Sequence, residues 1–116
     1  MKYRALNPIS REEAATAFAS HLGHEVGMAL ARCAEFDPEY EWVESRCLEF
    51  VEHPSVEVRR AAAAALGNLA RVHRRTSIRT VEALERLARS TETAAGWAED
   101  ALDDLRMFAR SALPDD

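Results

Sequence analysis

Apolar residues recur along this 116-residue chain with the spacing of a helix. Leu48 and Val51, then Val58, Ala62, Ala65, Leu66, Leu69 and Val72, follow the i, i+3, i+4, i+7 rule of a chain that buries one helical face. No segment alternates with the period of two that a half-buried strand requires. Alanine is abundant, most densely at Ala61–Ala65, which favours helix and lets neighbouring helices approach closely. Breakers at Asn7-Pro8, Gly23, Asp37-Pro38, His53-Pro54-Ser55, Thr76-Ser77 and Ser90-Thr91 divide the pattern. They predict six helices: Ser10 to His21, His24 to Glu35, Glu39 to Glu52, Val56 to Arg74, Ile78 to Arg89 and Thr93 to Ala112. Ser10 with Glu13 has the form of a capping box, and Ser55 stands where it can cap the longest helix.

The pattern also repeats. Ala29-Leu30-x-x-Cys33, Ala65-Leu66-x-x-Leu69 and Ala101-Leu102-x-x-Leu105 place a small residue beside a large one, with an apolar residue three further on, at one fixed interval of 36 residues. Cys47–Val51 aligns with Ala83–Leu87 at the same offset, whereas the first copy agrees poorly there. A helix pair repeated in this way reads as an all-α solenoid, because one pair cannot bury its own apolar face and must stack on the next. The expected fold is one domain over residues 1–116, built of three units near 8–37, 38–75 and 76–112.

The stretch His53-Pro54-Ser55-Val56-Glu57-Val58-Arg59-Arg60-Ala61-Ala62-Ala63-Ala64-Ala65-Leu66-Gly67-Asn68-Leu69 resembles the turn and second helix of a HEAT repeat. The resemblance implies that Pro54 opens the turn, Val58 enters the core, Arg59 reaches back across the turn and Gly67 admits the neighbouring helix. It implies a right-handed solenoid with helices two, four and six on the concave side. It covers residues 40 to 110 well and residues 8 to 37 loosely. The third copy has Ala94-Ala95 where Val-Arg would stand, and the first lacks both Pro and Val-Arg. Ala65 to His73 and Ala98 to Leu105 also resemble short bacterial HEAT-like proteins found beside polymorphic toxins. That likeness implies an immunity protein that neutralises a cognate toxin.

Composition narrows the class. With 47% hydrophobic and 30% charged residues, and only four Gly and four Pro, the chain is neither collagen-like nor a disordered linker. Apolar runs such as Ala61–Leu66 fall far short of the roughly 20 residues a membrane span needs. The first residues lack the apolar core of a secretory signal, so a cytoplasmic address is the expectation. Cys33 and Cys47 then read as reduced, buried thiols, without the spacing of a zinc site.

Charge is segregated by sign. Residues 35–57 hold eight acids against Arg46 alone, residues 58–79 hold six arginines and no acid, and residues 80–116 hold nine acids against four arginines. Arginines near the end of helix four complement its dipole, and others are placed to pair with acids on neighbouring helices. A net charge of −5 opposes binding to phosphate backbones, so nucleic acid is not expected as a partner. It favours a basic protein partner, since complementary charge speeds association and penalises wrong partners.

Catalytic constellations are missing from the sequence. His21, His24, His53 and His73 lie on separate segments, and no HExxH, GxSxG or GxxxxGK motif occurs. His21 and His24, three apart across a helix break, lack a third ligand and read as solvated or capping. His53 reads as closing a turn, and His73 as a half-buried, hydrogen-bonded ring. Glu99, Asp100, Asp103 and Asp104 fall opposite the buried arc of helix six, facing water, as a solvated face or an acidic docking surface. Trp97 and Phe108 fall at the edge of that arc, so Trp97 is either an interaction hot spot beside acids or a cap on the end of the core. Trp42 and Tyr40 read as packing between the first two units.

The candidate partner-binding residues are Trp97, Asp100, Asp104, Asn68, Phe108 and Glu57, with no catalytic residue, metal ligand or cofactor expected. A protein-binding module is the leading reading, most specifically an immunity protein directed at a basic toxin domain. An adaptor or accessory subunit of a cytosolic enzyme complex is the alternative. A metal-dependent hydrolase would require Asp100, Asp103 and Asp104 to converge with ligands from another helix.

Overall fold

The computed structural model describes residues 6–90 and 92–109. They form α1 (Arg11–Ser20), α2 (Gly23–Phe36), α3 (Tyr40–Phe50), α4 (Val56–His73), α5 (Ile78–Ala88) and α6 (Ala94–Phe108), with no strand among the described residues. The expected sixth helix is too long: α6 ends at Phe108 with Ala109 as its cap, and residues 110–112 of that expectation lie outside the described residues.

The helix starts follow from local chemistry. Ser10 accepts from the Glu13 amide at 3.0 Å while Glu13 accepts from the Ser10 amide at 3.1 Å, completing both halves of the capping box. Ser55 caps α4 through Val58 N–H, and Ser77 caps α5 through Thr80 N–H. α1 and α4 both stop on a residue in the left-handed region, His21 at φ 56° and Arg74 at φ 55°.

Helices that are consecutive in sequence pair as α1 with α2, α3 with α4, and α5 with α6, and the second members pack laterally as α2 on α4 on α6. The repeated triads build the centre: Ala29, Leu30, Cys33, Ala65, Leu66, Leu69, Ala101, Leu102 and Leu105 are all buried. The radius of gyration is 13.2 Å, against about 13.4 Å for a globule of this length, so the three pairs stay compact.

Ion pairs link residues 34 to 36 apart, close to the interval of the sequence repeat. Arg71 meets Glu35 at 3.2 Å, 36 residues away, Arg75 meets Glu41 at 2.9 Å, and Arg86 meets Glu52 at 3.4 Å. Most of these side chains are exposed, so each pair contributes a few tenths of a kcal/mol to about 1 kcal/mol. Arg59 is less exposed and more constrained. It donates to the carbonyls of His53 at 2.6 Å and Pro54 at 2.8 Å, and to Glu92 at 2.6 Å. One guanidinium therefore ties the α3–α4 turn to the start of α6.

One buried carboxylate was not anticipated from the sequence. Glu44 on α3 is only 4% exposed, and its Oε2 accepts from Tyr40 at 2.9 Å and from Ser77 and Thr80 at 2.6 Å each. Charge-assisted bonds to three hydroxyls offset its desolvation and dock α5 onto α3.

Candidate functional site

α2, α4 and α6 lie side by side in the same direction, so residues one repeat apart meet along two seams. On the first seam, Gly23 faces Glu57, whose side chain fills the space a side chain at Gly23 would need. One turn on, an added β-carbon at Gly27 would stand 3.2 Å from the Ala61 methyl. Between the two helices runs a groove of about 390 Å³, lined by Leu6, Gly27, Ala31, Glu35, Ala61, Ala64, Ala65, Asn68 and Arg71. A polar cluster closes one end: Glu35 accepts from Asn68 at 2.9 Å and from Arg71 at 3.2 Å, while Arg71 also donates to the Asn68 side-chain oxygen.

The second seam is raised rather than hollow. Trp97 stands 46% exposed with the Arg60 guanidinium 5.9 Å from its ring centre, and Phe108 is half-buried beneath Arg74 at 5.3 Å. Trp97, Asp100, Asp104 and Phe108 recur at helical spacing on the α4 side of α6, an aromatic, two acids and an aromatic in sequence. Glu99, Asp100 and Asp103 are exposed, and Asp103 pairs with Arg106 at 2.8 Å. The expectation that all four acids face water fails at Asp104. It is half-buried and leans over Gly67, where its Oδ2 would lie 2.9 Å from an added β-carbon. A glycine on α4 opens this space, and a wheel drawn for α6 alone cannot include it. Burial pushes the Asp104 carboxyl above its ordinary value, Arg71 pulls it down, and Asp100 and Asp103 push it up again.

The six candidate residues lie on α4 and α6, but not on one seam. Asp104 leans over Gly67, with Trp97 and Phe108 bracketing the acids of α6, while Asn68 turns to Glu35 and Arg71 and Glu57 faces Gly23 on the α2 seam. Glu35 and Arg71, which the sequence reading left out, belong to the same face. Their spacing of 36 residues was the available signal.

Other side chains resolve into structural roles. Tyr40 is buried, and Trp42 is half-buried with Arg11 of α1 at 4.1 Å from its ring centre. His21 does not share a ligand position with His24. Its Nδ1 meets His53 Nε2 at 3.3 Å. The Ser55 amide donates to His53 Nδ1 at 3.0 Å, which places the His53 proton on Nε2, pointing at His21. His73 was expected to be hydrogen-bonded, yet its buried Nε2 meets no partner among the described residues; its ring packs edge-on against Tyr40 at 5.7 Å. Cys33 and Cys47 are buried and free, and burial raises both thiols, Cys33 to about 11. Among the described residues no group of three or more His, Cys, Asp or Glu is placed to hold a metal ion, and no helix is long and apolar enough to cross a membrane.

No protein-family profile matches the chain, and no curated protein matches it. Among solved structures it is similar to a chain in the crystal structure of a CDI complex from Cupriavidus taiwanensis LMG 19424, with a TM-score of 0.73 and 27% sequence identity. The likeness covers 96% of this chain and 98% of that one, so it is a likeness of whole chains.

Proposed function

We propose that this chain is an immunity protein that binds a bacterial toxin directly and neutralises it by covering its active site. The carrying observation is the end-to-end likeness, at 27% identity, to a chain of a complex of contact-dependent inhibition, a system of toxin and immunity protein. A binding role, without catalysis, agrees with that likeness. The net charge of −5 and the acids on α6 support a basic toxin surface as the target. Trp97, Asp100 and Asp104 form the centre of the contact, with Asn68, Phe108 and Glu57 around it.

We also read the architecture as a right-handed HEAT-like solenoid of three units, 8–37, 38–75 and 76–112, with α2, α4 and α6 on its concave side. Supporting this are the buried Val58, the reach of Arg59 back to the carbonyls of His53 and Pro54, and the close approach of α6 over Gly67. A concave wall of parallel helices is a common protein-binding surface of such stacks.

Co-expression tests the function. The immunity reading expects a toxin domain encoded beside this chain; it should arrest growth alone and not when this chain is present, and the two purified proteins should form a stoichiometric complex. Trp97→Ala is expected to weaken that complex about 30-fold, the equivalent of about 2 kcal/mol for a central aromatic, with little change in melting temperature. Failure of the wild-type chain to bind or protect would remove the immunity reading. Full binding by the Trp97→Ala, Asp100→Ala, Asp104→Ala triple variant would remove the site assignment alone.

A further inference from the structure

The groove between α2 and α4 has a shape that the raised α6 stripe lacks. Its floor is Gly27, Ala31, Ala61 and Ala64, and the seam from Gly23 to Glu35 runs about 18 Å along α2 at the helical rise. That floor offers no side-chain hydrogen-bonding group. An extended segment laid on it would leave backbone amides and carbonyls against methyl groups, whereas a helix brings its backbone bonds already satisfied. Small residues on the floor also allow a third helix to approach at the short end of the usual 8–10 Å.

Charge around the groove is negative. Glu57 stands at one end, Glu35 at the other, and Asp100 and Asp104 lie across α4. Three cations stand on the same face, Arg71 bonded to Glu35 and Asn68, Arg60 over the Trp97 ring and Arg74 over the Phe108 ring, and the four acids outnumber them.

We infer that this groove receives an amphipathic α-helix of about three turns from the toxin, apolar towards the alanine floor and carrying Lys or Arg on its flanks to meet Glu57, Asp100 and Asp104. The inference deepens the immunity reading and rests on it.

Ala64→Arg tests it. Ala64 is exposed and Arg is nearly as good a helix former as Ala, so the variant fills the groove with a bulky cation while the fold is retained. The probe is the purified, catalytically inactivated toxin domain encoded beside this chain, titrated calorimetrically into the full-length protein. Ala64→Arg is expected to weaken binding about 100-fold, as for a blocked hot spot, whereas Met107→Arg, an exposed position on α6 outside the groove, leaves the affinity unchanged. Glu57→Lys supplies a second variant, compared at equal folded fraction because Glu57 packs at Gly23 in the first turn of α4: it should weaken binding about tenfold at low salt and less at high salt. A toxin that does not bind the wild-type chain removes the immunity reading. A toxin that binds wild type, Ala64→Arg and Glu57→Lys alike overturns the groove inference while that reading stands. A sedimentation change of the free chain on Ala64→Arg would mean that a second copy fills the groove, which also overturns it.

Discussion

Replacing Glu44 by alanine probes the contact that docks α5 onto α3. The carboxylate is 4% exposed and takes three hydroxyl donors on one oxygen, two of them at 2.6 Å. Hydrogen bonds to a charged group contribute about 1.5–3 kcal/mol each when broken singly, but three that share one acceptor do not add. Removing the charge also relieves its desolvation. Against that, Thr80 is 1% exposed and its hydroxyl loses its acceptor in a dry site, while Tyr40, 6% exposed, keeps only Thr76. The balance is a loss of about 2–4 kcal/mol for Glu44→Ala. With about 2.1 cal/mol/K of unfolding entropy per residue over 116 residues, each kcal/mol lowers the melting temperature by about 4 °C, so a fall of about 8–16 °C is expected. Glu44→Gln keeps an acceptor of the same shape and should lose only about 1 kcal/mol. Urea unfolding followed by circular dichroism measures both, and adding Thr80→Val to Glu44→Ala should then change stability less than Thr80→Val does in the wild-type chain. If Glu44→Ala unfolds within about 0.5 kcal/mol of wild type, the three bonds do not dock the units and the reasoning is wrong.

Four further outcomes follow from the same geometry. Gly67→Leu should lose about 1–3 kcal/mol in urea unfolding, because its β-carbon alone would lie 3.2 Å from the Ala101 Cα; a neutral result would mean that α6 does not pack this closely. Arg59→Ala should lose about 1–2 kcal/mol and Arg86→Ala under about 0.5, since Arg59 is half-buried with three partners and Arg86 is exposed with one; equal losses would contradict the assignment. Burial raises the Asp104 carboxyl above its unfolded value, so the protonated form favours the fold and that stability is lost as pH rises through the folded value. The stability of Asp104→Asn relative to wild type should therefore grow between pH 3 and pH 7, and a pH-independent difference would refute the shift. Cys33 and Cys47, buried and held as thiols, should label with a disulfide reagent at pH 8 only as fast as the chain opens; rapid labelling of the native protein would place them elsewhere.

Helix content, the number of helices, most of their starts and the nine core positions of the repeated triads were legible in the sequence. These depend on local periodicity, on capping serines and on breakers, all carried by residues close together in the chain. The sign-segregated charge was legible for the same reason, as stretches that one repeat brings face to face. Tertiary packing decided the rest. Asp104 looked solvated on the wheel of α6 and is half-buried because Gly67, on another helix, leaves room for it. Glu44, in the sequence one of eight acids in its stretch, is buried because Ser77 and Thr80 arrive at the start of α5 to satisfy it. His21, read as solvated or capping, is exposed and caps α1, but only the fold sets it against His53, and the groove between α2 and α4 exists only where Gly27 and Ala61 let two helices close. A polar group's fate depends on what faces it from elsewhere in the chain, and periodicity fixes which side of a helix a residue occupies but not what it meets there.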